Sequence, residues 1–91
     1  MTNLEVSANL WRDRAGNTYH RVYVSVDGAQ NQLVSPITYG YGCQYLSTAG
    51  ELLKQAGLSQ SEDPYKVIRA LKDEGVRVTE GWQRVRRKRD L

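Results

Sequence analysis

From Leu4 to Trp11 the chain alternates without a break: Leu4, Val6, Ala8 and Leu10 are apolar, Glu5, Ser7 and Asn9 are polar, and Trp11 closes the second set. A period of two puts successive side chains on opposite faces, so this stretch reads as a strand with one face buried. Val22, Val24 and Val26 alternate in the same way with Arg21, Tyr23 and Ser25. Between them Asp13 to Asn17 reads as a hairpin loop, with Gly16 and Asn17 suited to positive φ. Pairing Val6 with Val24 and Ala8 with Val22 makes the apolar faces agree. It also sets Trp11 beside Tyr19 and Ser7 beside Tyr23 on the opposite face.

Asp27-Gly28 suits a type I′ turn, which needs positive φ at both central positions, so a third strand should follow. That strand is expected to put Leu33 and Ile37 on the apolar face. Pro36, with no N–H to donate, marks an edge or a bulge. At Tyr45 the period changes: Tyr45, Leu46, Ala49, Leu52, Leu53 and Ala56 line one helical face, and Gly57 stops it. Asp63-Pro64, an N-cap followed by proline at the first helical position, starts a second helix through Tyr65, Ile68 and Leu71 to Gly75. Val76, Val78 and Thr79 resume alternation, Gly81 breaks or bulges the strand, and residues 82–87 extend it. The expected fold is α+β: an antiparallel sheet of three to four strands in β-β-β-α-α-β order, with two helices on one face.

Ninety-one residues allow one domain, 1–91, with the basic segment 82–91 free to extend from it. At 40% apolar and 25% charged residues, the chain is too apolar to be disordered. No apolar run suits a membrane span, and the first residues lack a signal-peptide pattern, so a cytoplasmic protein without membrane contact is expected. One cysteine and one histidine cannot fill a structural zinc site, and no cofactor or metal is expected. Cys43 and His20 are the only candidates for a thiol–imidazole pair, but nothing supplies a third orienting group. A packed, hydrogen-bonded histidine that reaches the first helix, and a small buried cysteine, are the expected roles. The acidic side chains read as helix surface and caps, and no catalytic residue is assigned.

Charge is uneven along the chain. Residues 1–58 carry four basic and four acidic side chains, whereas residues 59–91 carry nine and six and hold the whole net charge of +3. Arg84, Arg86, Arg87, Lys88 and Arg89 crowd into six positions, a local positive field suited to phosphate. Arg77, with Lys66, Arg69 and Lys72 along the second helix, would join them if the surface were continuous. On the polar face of the hairpin, Trp11, Tyr19, Arg21 and Tyr23 are the residue types that binding hot spots use, unless the C-terminal segment folds across them. Tyr39-Gly40-Tyr41-Gly42, where strand hands over to helix, is either an anion-binding turn or a tight structural turn whose tyrosines wedge helix against sheet.

Asn9-Leu10-Trp11, the segment Gly16 to Val22, Asp27-Gly28, the run Thr38-Tyr39-Gly40-Tyr41-Gly42 with Gln44-Tyr45, Leu52-Leu53 and the basic end Val85 to Leu91 together resemble small accessory proteins of tailed phages and prophages. The likeness covers most of the chain and implies a setting, the host cytoplasm, in which such proteins bind host or phage machinery; anti-CRISPR inhibitors are one outcome. The expected function is therefore non-enzymatic binding of nucleic acid or a nucleoprotein complex through the basic end and the open sheet face. The alternative is a protein-binding inhibitor or adaptor of a host that does not touch nucleic acid. A homodimer through the edge strand near Pro36 is compatible with either.

Overall fold

The computed structural model describes residues 1–91. Strands β1 (Asn3–Arg12) and β2 (Thr18–Val26) form the central hairpin, followed by the two-residue strands β3 (Leu33–Val34) and β4 (Thr38–Tyr39). Helices α1 (Gln44–Gln55) and α2 (Pro64–Asp73) come next, then β5 (Arg77–Arg84) and a short 3-10 turn over Lys88–Asp90. The hairpin register is the one that parity demands, with Val6 opposite Val24, Ala8 opposite Val22 and Trp11 opposite Tyr19. Leu4, Val6, Ala8, Leu10, Val22 and Val24 bury one face of the sheet against Tyr45, Ala49 and Leu53 of α1 and Val67, Ile68 and Leu71 of α2.

The sheet is mixed rather than antiparallel throughout. β5 lies on the free side of β1 and runs parallel to it, from Arg77 opposite Asn3 to Arg84 opposite Leu10, without a break at Gly81. The chain leaving α2 reaches the sheet at its Asn3 end, where the Arg77 N–H donates to the Thr2 carbonyl (2.9 Å), and from that end it can only follow β1 in the same direction.

The third strand is split by a bulge. β3 pairs Leu33 with Val24, whereas β4 pairs Thr38 with His20, one residue out of step. A slip of one residue exchanges the faces of a strand. Leu33 therefore packs against the core, while Ile37, expected there too, stands exposed on the other side. At the break the buried Ser35 takes over the ladder: its N–H donates to the Val22 carbonyl, and its Oγ accepts from the Val22 N–H, both at 2.9 Å.

Turn and cap chemistry matches the sequence. Asp27 and Gly28 take φ of 52° and 71°. The Asp27 carboxylate also accepts the N–H groups of Thr2 (2.7 Å) and Asn3 (2.8 Å), which hold its pKa below the ordinary value. Both helices end on a left-handed glycine with paired closing bonds, Leu58 N–H to Leu53 O and Gly57 N–H to Lys54 O after α1, Val76 N–H to Leu71 O and Gly75 N–H to Lys72 O after α2. Asp63 caps α2 by accepting the Tyr65 N–H at 3.0 Å.

His20 is 1% exposed and joins β2 to the start of α1. The Gly40 carbonyl can only accept, so Nδ1 carries the hydrogen and donates to it at 3.1 Å, while Nε2 accepts from the Thr48 hydroxyl at 2.6 Å. Burial lowers the imidazole pKa below 6.5, against the raising effect of the Gly40 bond. The unfolded chain thus binds a proton that the folded chain refuses. The resulting stabilisation is complete above 6.5 and declines as pH falls from there towards the lower, folded-state pKa. In urea denaturation between about pH 7 and pH 5, the wild type should lose stability and a His20→Gln variant should lack that step. An equally flat wild-type profile would show that the folded imidazole charges freely.

Candidate functional site

The odd-numbered residues of β1 and β2 form the sheet face away from the helices, so Trp11, Tyr19, Arg21 and Tyr23 stand on it together. The basic segment does not extend into solvent. The Val85 N–H donates to the Leu10 carbonyl (2.8 Å), and the chain then turns back over this face. Tyr23 donates its hydroxyl to the Leu91 carbonyl at 2.8 Å, Asn9 donates to the Asp90 carbonyl at 3.4 Å, and Leu91 is 6% exposed. Gln83 donates to the Asn9 side-chain oxygen at 2.9 Å and steadies that amide. Tyr23 and Arg21 are consequently half-buried, and Arg21 Nε has no hydrogen-bond partner. The tail covers part of the face and leaves the Trp11 end open.

At that open end Trp11, Tyr19, Ile37, Tyr39, Asp13 and Lys88 line a cleft of about 430 Å³. The Trp11 and Tyr19 rings lie 5.9 Å apart with a 31° tilt, and Tyr39 meets Tyr19 edge-on at 5.6 Å. Tyr39 remains 62% exposed, so its ring has surface to offer a ligand. Asp13 is partly engaged, accepting the Asn17 N–H at 2.8 Å to close the hairpin loop. A second cleft, of about 270 Å³ between α1 and the bulge, is lined by hydroxyls, Glu51 and two prolines and holds neither an aromatic ring nor a cation.

Arg84, Arg86, Arg87, Lys88 and Arg89 are all exposed, and none forms an ion pair. Lys88 lines the aromatic cleft and Arg86, Arg87 and Arg89 are its neighbours in the docked tail, whereas Arg84 lies opposite Leu10 on the helix side of the sheet. Arg77 is not part of this cluster: it faces Asn3 at the other end of β5, roughly 23 Å from Arg84 at strand rise. Lys66, Arg69 and Lys72 are exposed on α2, across the sheet from the tail, and Lys72 pairs with Glu80 at 3.4 Å. The cations that could have joined into one basic surface are therefore divided between the tail, α2 and the far end of β5.

Within the glycine-tyrosine turn, the Gly40 N–H donates to the Thr18 carbonyl at 2.9 Å and its carbonyl takes the His20 bond. At φ +148° a Cβ on Gly40 would come within 2.9 Å of the Gln44 Cβ and 3.2 Å of the His20 Cε1, so the glycine is there for close approach. Gly42 takes a left-handed φ of 61°. The tyrosines do not wedge helix against sheet as expected: Tyr39 joins the aromatic cleft, Tyr41 is 72% exposed, and the buried ring is Tyr45. Cys43 is exposed rather than buried, because it sits at the N-cap of α1 outside the helix's apolar face. Both His20 nitrogens are engaged elsewhere, by the Gly40 carbonyl and the Thr48 hydroxyl, and not by the Cys43 thiol.

The sequence grouped Trp11 with Tyr19 but not with Tyr39 or Ile37, because only the bulge turns those two onto the outer face. Comparison with family models, curated proteins and solved structures finds no match.

Proposed function

We propose that this chain is a non-enzymatic binding module for single-stranded nucleic acid, free or within a nucleoprotein complex. The observation that carries the reading is the convergence at Lys88 of an open aromatic cleft and an unpaired cationic strip. Single-strand binders combine these two elements: cations track the phosphates and aromatic rings stack on bases that no partner strand covers. Trp11 and Tyr39 are the stacking surfaces, and Lys88, Arg86, Arg87 and Arg89 the phosphate contacts. The half-buried Arg21 adds fixed positive charge beneath the tail. In the setting implied by the resemblance to phage accessory proteins, the ligand would be met in the host cytoplasm.

Fluorescence anisotropy with a labelled mixed-sequence oligonucleotide tests this. Binding is expected at low salt, weaker for the same strand in a duplex, where the base faces are covered. Trp11→Ala and Tyr39→Ala should each cost roughly 1–2 kcal/mol, about 5- to 30-fold in affinity. Absence of binding at low salt would contradict the proposal. Capture of one host protein, sensitive to Trp11→Ala and indifferent to the tail charges, would support the inhibitor reading instead.

A further inference from the structure

We propose that the outer edge of β5 pairs with β5 of a second copy of this chain, antiparallel about a two-fold axis at Trp82. The two edges of the sheet differ sharply. On the β2 side, β3 and β4 are two residues long and separated by the Pro36 bulge, which gives a partner strand almost nothing to pair with. On the other side β5 offers eight continuous residues, seven of them exposed. The N–H groups of Arg77 and Val85 point at β1, so the odd positions face inwards. The N–H and C=O groups of Val78, Glu80, Trp82 and Arg84 therefore point away from the sheet and have no strand to meet.

The occupant follows from the side chains beside those groups. Glu80, Trp82 and Arg84 share the helix-side face of β5. With Trp82 opposite its symmetry mate, Glu80 of each copy falls opposite Arg84 of the other. The segment is thus self-complementary in charge, and its outward backbone groups coincide as reciprocal hydrogen-bonded pairs. Other registers fare worse: centring on Glu80 opposes two carboxylates, and centring on Gly81 leaves Arg84 opposite Val78. Trp82, 53% exposed in the monomer, would gain a ring to pack on. Lys72, 3.4 Å from Glu80, does not consume this carboxylate, since one oxygen accepts it and the other remains free. The inference stands on the β5 edge alone, so it and the nucleic-acid reading can fail separately.

Sedimentation velocity on the full chain, from micromolar to near-millimolar concentration, tests it. The mass is expected to rise towards twice the 10.3 kDa of one chain. Glu80→Arg and Arg84→Glu should each weaken the dimer roughly tenfold or more, because two attractive cross-strand pairs become repulsive. An equimolar mixture of the two variants should associate again, since each then presents the charges the other lacks. Trp82→Pro removes an N–H that points away from β1, so the fold should persist by circular dichroism while the dimer is lost. A wild-type chain that stays monomeric throughout, or a dimer indifferent to both charge reversals, would overturn the proposal.

Discussion

Replacing Gly50 by alanine should cost about 2–4 kcal/mol of stability, a large part of what a chain of this size has. In an exposed helix interior the same change stabilises by about 1 kcal/mol, since alanine is the better helix former. Here the sign reverses because Gly50 is buried where α1 crosses the first turn of α2. A Cβ at this position would land on the Pro64 carbonyl oxygen and lie 3.2 Å from the Val67 Cβ. The obstacle is backbone, which cannot swing aside as a flexible side chain could. Moving Pro64 would also disturb the Asp63 cap on the Tyr65 N–H. Urea denaturation should show a lower midpoint with an unchanged slope, and an exposed control on the same helix, Gln55→Ala, should be near neutral. A Gly50→Ala protein as stable as wild type would mean that the helices do not meet there.

Neutralising Arg86, Arg87, Lys88 and Arg89 together to glutamine should reduce affinity for a single-stranded oligonucleotide by about 100-fold or more at low salt. The dependence on salt should flatten as well. Each phosphate contact to a single strand contributes about −0.7 to the slope of log affinity against log salt, so four contacts contribute about −3. Stability should barely change, because the tail is held by the Leu91 side chain and by the bonds of Tyr23 and Asn9 to backbone carbonyls, not by these cations. Anisotropy at several salt concentrations separates the two effects. Affinity and slope both at wild-type values would place the binding surface elsewhere.

What the sequence reveals follows the range of the interactions involved. The hairpin register is legible because a slip of one residue would turn Val22 and Val24 out of the core. The helix ends are legible because Gly57, Gly75 and Asp63-Pro64 act within a single turn. Contacts made across the fold leave weaker traces. Nothing in Val76 to Thr79 says which strand β5 will join, so its parallel pairing with β1 depends on where α2 delivers the chain. The Pro36 bulge could be read, but not that it inserts one residue and carries Ile37 and Tyr39 to the side of Trp11. Leu91 is one apolar residue behind a run of cations, and only Tyr23 and Asn9, far away in sequence, make it an anchor. Gly50 reads as an ordinary helical glycine until the second helix is laid against it.

If cleft and tail hold one ligand, as proposed, the emission of Trp11 reports on it directly. The chain has two tryptophans, so Trp82→Phe leaves Trp11 as the sole emitter. Titrating this variant with a mixed-sequence single strand at low salt should quench Trp11 in step with the anisotropy change, and added salt should reverse both together. A strand that binds while Trp11 emission stays constant, or no binding at all, would contradict the account.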